Sequence, residues 1–74
     1  MSDLPYHLEK FAKSQEQRKI LYVAWIQGFI TRPQLKKVYT SESAIKSNME
    51  RFVKMGVFRP EYGKFVLLLK DGKK

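Results

Sequence analysis

The chain has no cysteine, one histidine, and four glycines that stand singly. Without cysteine, neither a disulfide nor thiolate-bound zinc can brace the fold. The lone His7 sits in a weak N-terminal helix and reads as structural or solvated. Isolated glycines form no phosphate-cradling loop and read as caps and turns. Seven acidic residues are few against fifteen basic ones, and no two form an acid/base dyad. Glu42 and Glu50 fall about two turns apart on one helix and tune its surface. No apolar run approaches the ~20 residues of a membrane span. The N-terminal MSDLPYHLEK has no basic region followed by an apolar one, so no signal peptide is expected. These gaps lead us to expect no enzyme, metal, cofactor, small-molecule ligand or membrane partner, and a cytoplasmic location.

What is present is the composition of a small globular domain, 43% hydrophobic and 14% aromatic over 74 residues. A chain this short buries a limited core, so stability must come from close packing or oligomerisation. The net charge of +8 is uneven. Residues 1–30 hold four basic and three acidic groups, whereas residues 31–74 hold eleven and four. Such asymmetry points to a polyanion, most simply nucleic acid. An anionic membrane fits less well, because no segment sets a dense Lys/Arg face against a purely apolar one.

Taken in order, residues 3–13 read as a short leading helix with Asp3 as cap and Pro5 in its first turn. Leu4, Leu8, Phe11 and Ala12 form its stripe. Ser14 to Gln17 has the S-x-x-Q form of a capping box and opens a helix to about Gln27, with Gly28 as a left-handed stop. The polar face of that helix holds Gln15, Arg18, Lys19 and Tyr22. Its core face holds Ile20, Val23, Ala24 and the stem of Gln17, while Leu21, Trp25 and Ile26 widen the apolar surface. Phe29 and Ile30 read as a short apolar bridge. T-x-x-Q at Thr31 to Gln34, with Pro33 in the first turn, caps a helix over about 32–39 that buries Leu35, Val38 and Tyr39 and points Lys36 and Lys37 outward. Ile30 and Leu35 are spaced for a hydrophobic staple.

After a turn at 39–41, SESAIKSNMERFVKMG over 41–56 reads as an amphipathic helix. Ile45, Met49, Phe52 and Val53 form its apolar stripe. Ser43, Ser47, Glu50, Arg51 and Lys54 lie opposite, flanked by Ala44 and Lys46. Small hydroxyls and cations on one face can enter a DNA major groove, with hydroxyls and Arg at base edges and Lys at phosphates. Two helices joined by so short a turn have the helix-turn-helix pattern. Beyond Gly56 the period changes: VFRP and KFVLLLK read as two strands about a turn at 60–63. The second strand is apolar on both faces, so its spare face needs the leading helix or a second subunit. Phe58 and Phe65 read as core and Tyr62 as exposed. Residues 71–74 are a polar tail.

This order resembles the winged helix-turn-helix domains of small transcriptional regulators of archaea, bacteria and their viruses. AIKSNMERFVKMGVF over 44–58 is similar to the family's third helix and first wing strand, and ITRPQL over 30–35 to the lead-in of its second helix. The turn between the two helices lacks the usual Gly, having Tyr39 and Thr40 instead, and the wing is short. The resemblance implies an α+β, mostly α fold, with a leading arm at 1–13, a winged-helix domain at 14–70 and a two-stranded wing. It implies a recognition helix at 41–55, with Ser43, Ala44, Ser47 and Arg51 nearest base edges. Thr31, Arg32, Lys36, Lys46 and Lys54 would approach phosphates, and Arg59, Tyr62 and Lys64 the backbone or minor groove. A homodimer is expected, because regulators commonly pair two reading heads. Trp25, Ile26, Val66 and Leu68 are the candidate interface residues. The expected partner is therefore double-stranded DNA. The alternative is a winged-helix protein-interaction module, a small subunit of a transcription or replication assembly.

Overall fold

Each of the two long helices is started by a serine and stopped by a glycine, and the rest of the chain packs around them. A computed structural model describes residues 4–69. Asp3, Lys70 and the polar tail at 71–74 lie outside the described residues. The order is α1 (Tyr6–Glu9), α2 (Gln15–Gln27), β1 (Phe29–Thr31), α3 (Arg32–Val38), α4 (Glu42–Lys54), β2 (Phe58–Glu61) and β3 (Lys64–Leu67). The result is a mostly helical α+β fold with one three-stranded antiparallel sheet of order β1-β3-β2.

The expected helix at 3–13 shrinks to one turn. Pro5 is the N-cap, in extended conformation and without a side-chain cap bond, and the chain from Phe11 to Ala12 continues in i→i+3 turns. So short a helix lacks the hydrogen bonds to hold itself. It is held instead by Leu4 and Leu8, both in the core, by the Arg18–Glu9 ion pair to α2, and by His7. The His7 Nε2 lies 3.0 Å from the carbonyl oxygen of Leu69. A carbonyl only accepts, so Nε2 carries the proton in that bond.

Helix α2 starts where Ser14 Oγ accepts the Gln17 N–H. Only half of the expected capping box forms. The Gln17 side chain does not return to Ser14. Its Oε1 accepts the Lys13 N–H at 2.7 Å, and its Nε2 donates to Asn48 Oδ1 of α4 at 2.7 Å. Gln17 is only 6% exposed, and a buried amide must satisfy both ends. The core face of α2 also differs from expectation: Leu21 is fully buried and Val23 only half-buried. Helix α2 contacts α1, α3, β1 and β3, so it is covered from more than one side. Gly28 ends it at φ 90°, its N–H returning to the Ala24 carbonyl.

The apolar bridge at Phe29 and Ile30 is a strand. It pairs with β3 in the register Phe29–Val66, Ile30–Phe65 and Thr31–Lys64. This makes β3 the central strand, flanked on its other side by β2 through Phe58–Leu67 and Pro60–Phe65; Leu67 is buried in the core, while Val66 on the opposite face is half-buried beside Phe29. The hairpin turn lies at Tyr62 and Gly63, further along than expected, with Gly63 at φ 75°. Pro60 is therefore inside a strand, tolerated because β2 is an edge. Thr31 caps α3 with the full capping box.

The core gathers Ile20, Leu21 and Ala24 of α2 with Ile30, Leu35, Ile45, Met49, Phe52, Val57, Phe58 and Leu67, and Leu8 of α1 and Leu4 before it join them. Phe52 meets Phe58 edge to face, centroids 5.5 Å apart. No helix among the described residues is long and apolar enough to cross a membrane.

Candidate nucleic-acid interface

Helix α4 begins at Ser41, whose Oγ accepts the Ala44 N–H at 3.3 Å. It ends with Gly56 at φ 80°, the Gly56 and Val57 N–H groups returning to the Val53 and Phe52 carbonyls. Between these caps one face is buried through Ile45, Met49 and Phe52. Ser43, Lys46, Ser47, Glu50, Arg51 and Lys54 are all exposed. The rotation of the helix is fixed by an amide relay: Asn48 Nδ2 donates to the Ala44 carbonyl at 2.7 Å while its Oδ1 accepts from Gln17 of α2.

Helix α3 precedes it at a three-residue turn. Tyr39 in that turn is half-buried against the core. Burial raises its phenol pKa above the ordinary value near 10, and the nearby Glu16 carboxylate adds to the rise, against a lowering hydrogen bond with Ser14.

The hairpin stands beside α4 and opens a groove of about 1090 Å³. One wall carries Ser43, Lys46, Ser47, Glu50, Arg51 and Lys54. Arg32 stands at the start of α3, and Pro60 and Phe65 form the sheet side. Ile45, Met49 and Val53 contribute apolar surface. Three of the four candidate base-reading residues, Ser43, Ser47 and Arg51, thus share one concavity with three candidate phosphate ligands, Arg32, Lys46 and Lys54.

The others are placed differently. Ala44 is half-buried and does not line the groove, and its N–H and carbonyl are both engaged. The Thr31 hydroxyl is committed to its capping box with Gln34. Lys36 pairs with Glu42 at 3.2 Å, and Arg59 with Glu61 at 2.8 Å. Directly opposed residues of antiparallel strands share a face. Phe65 and Pro60 line the groove, so Arg59 and Lys64 project from the other face of the sheet, together with Phe29 and Val66. The Lys64 ammonium lies 4.8 Å from the centroid of the Phe29 ring. Tyr62, at the hairpin tip, is fully exposed.

Of the four candidate interface residues, Trp25 is 37%, Ile26 61% and Leu68 48% exposed, while Val66 is half-buried. Tyr22 lies beside Trp25, ring centroids 6.4 Å apart. Sequence reasoning missed the groove's sheet side, Pro60 and Phe65, because it put Pro60 in the hairpin turn, whereas the β2–β3 register sets Pro60 opposite Phe65 on one face. Among the described residues no three His, Asp or Glu side chains gather as a metal ion would need.

No family model, curated protein or solved structure matches the chain.

Proposed function

We propose that the chain is a winged helix-turn-helix domain that binds double-stranded DNA, laying α4 in the major groove as the reading head of a dimeric transcriptional regulator. One observation carries this reading: a capped, rotationally fixed helix turns Ser43, Ser47 and Arg51 toward the same groove as Arg32, Lys46 and Lys54. The hydroxyls and the guanidinium can reach base edges, and the cations around them can neutralise phosphates. The Lys36–Glu42 and Arg59–Glu61 pairs weaken this little, because exposed ion pairs are worth ~0–1 kcal/mol and yield to a phosphate. The dimer part of the proposal rests on the exposed Trp25, Ile26 and Leu68.

Titrating random duplex by mobility shift at two salt concentrations tests the proposal, with sedimentation giving the oligomeric state. If two subunits neutralise roughly eight phosphates, log K falls against log salt with a slope of about −7. A second reading, a protein-interaction module, draws on the apolar side of the groove at Ile45, Met49, Val53, Pro60 and Phe65. The absence of any shift at low salt, from a protein of charge +8, would favour that module.

A further inference from the structure

Glu50 opposes phosphate, yet it lies on the face assigned to DNA. At about 100° per residue, taking Ser43 as zero, Lys54 lies at about +20°, Glu50 at about −20° and Ser47 at about +40°, while Arg51 and Ala44 lie at about +80° and +100°. If α4 enters a major groove on this face, Glu50 enters with it, beside Ser43 at the edge of the base-reading arc. Glu50 is exposed and lines the groove.

Among the described residues Glu9 is paired with Arg18, Glu42 with Lys36 and Glu61 with Arg59, whereas Glu16 and Glu50 form no ion pair; of these two, only Glu50 lines the groove. Glu50 has Lys46 one turn before it and Lys54 one turn after, the spacing at which helical ion pairs form, yet among the described residues it makes no ion pair or hydrogen bond. Its two neighbouring lysines are free to go to phosphates, leaving the carboxylate alone between them.

A carboxylate sealed in a groove without a donor loses its hydration and gains nothing in return. An ionised Glu only accepts, so the bases must supply the donor. The major groove offers two amino groups, cytosine N4 and adenine N6. Adenine N6 stands between two acceptors, its own N7 and the paired thymine O4, which repel a carboxylate, whereas cytosine N4 has an acceptor, the paired guanine O6, on one side only.

We infer that Glu50 is a specificity-determining residue, whose carboxylate accepts from the N4 amino group of one cytosine in each recognised site. The inference rests on the DNA-reading proposal above. On this view Glu50 sharpens the preference of the helix rather than merely reducing its affinity: it penalises every sequence that fails to place an amino group there.

Parallel selections from a random duplex pool, with wild type, Glu50→Gln and Glu50→Ala, test this. All three should fold, since the side chain is exposed, and a thermal melt checks it. The wild-type motif should contain a cytosine position that becomes adenine with Glu50→Gln, because Gln pairs with adenine N6 and N7. That position should become degenerate with Glu50→Ala. On the wild-type site, Glu50→Ala should bind roughly tenfold more weakly. Unchanged motifs, with both variants binding every duplex more tightly, would overturn the inference and leave DNA reading intact, Glu50 being then only a repulsive charge. A wild-type pool that never enriches a motif would overturn both.

Discussion

Helices α2 and α4 are built on the same frame and used differently. Each has thirteen residues, a serine N-cap whose Oγ accepts a backbone N–H three residues on, and a glycine of positive φ at its end. Helix α4 keeps its apolar residues on one side and its outer face polar. Helix α2 buries Ile20, Leu21 and Ala24 and still exposes Tyr22, Trp25 and Ile26. Capping and length are thus generic, and the distribution of residues around the cylinder decides the use. The first helix is the hub of the fold, contacted by α1, α3, β1 and β3. The second packs against α3 and β2, is tied to that hub by the Gln17–Asn48 bond, and leaves its other side exposed.

The sharpest way to break this comparison is through the core that the two helices share. Phe52→Ala removes the ring packed against Phe58 and should lower stability by about 3–5 kcal/mol, enough to unfold much of so small a domain. Denaturant titration reads this, and a loss under 1 kcal/mol would mean that α4 is not anchored as described. Next in size is the reading side. Arg51→Ala should weaken a selected duplex by about 1–3 kcal/mol and relax its sequence preference, while Lys36→Ala weakens all duplexes alike. Unchanged binding by the Arg51 variant in a titration would remove that residue from the reading head.

The amide link between the helices is a finer probe. Gln17→Ala strands Asn48 Oδ1 and the Lys13 N–H, at about 1–3 kcal/mol. A double-mutant cycle with Asn48→Ala should return a coupling of about 0.5 kcal/mol or more, and additive losses would mean that the two amides do not act together. The two serine caps come next: Ser14→Ala and Ser41→Ala should each cost about 1 kcal/mol in a thermal melt. Thr31→Ala should exceed either, because Thr31 alone holds a complete capping box.

Smallest is a pH effect. The folded-state pKa of Tyr39 is raised, so its contribution is fully present below the unfolded value near 10 and is lost as pH rises through the folded value. Relative to wild type, Tyr39→Phe should flatten the alkaline fall in stability above about pH 10. Parallel curves for the two proteins would contradict it.

Much of this frame is legible in one dimension, for local reasons. Ser14, Thr31, Ser41, Gly28 and Gly56 act within a turn of their own positions, so their roles can be read from their neighbours. The stripe of Ile45, Met49, Phe52 and Val53 repeats long enough to show its period. Three features are not legible. Strand β1 has three residues, too few to display alternation, and it is defined by β3, more than thirty residues away. Gln17 has the spacing for a capping box but prefers Asn48, a partner that exists only once α4 has docked. The exchange of Leu21 for Val23 in the core follows from α2 being covered on several sides, which no single-helix periodicity contains. The groove depends on the β2–β3 register, because the hairpin can wall it only when Pro60 and Phe65 fall on the same face.

The one-turn helix α1 has a further consequence. Its amides close too few helical bonds to protect themselves, yet Leu8 is wholly buried, and the His7 bond to the Leu69 carbonyl joins positions 62 residues apart. The segment therefore behaves as a stopper rather than a scaffold: it contributes to the interior by insertion and can leave by a local opening, without global unfolding. Amide hydrogen exchange should divide the molecule accordingly, with α1 trading its protons through a shallow fluctuation while the amides of α2 and α4 wait for the whole domain to come apart.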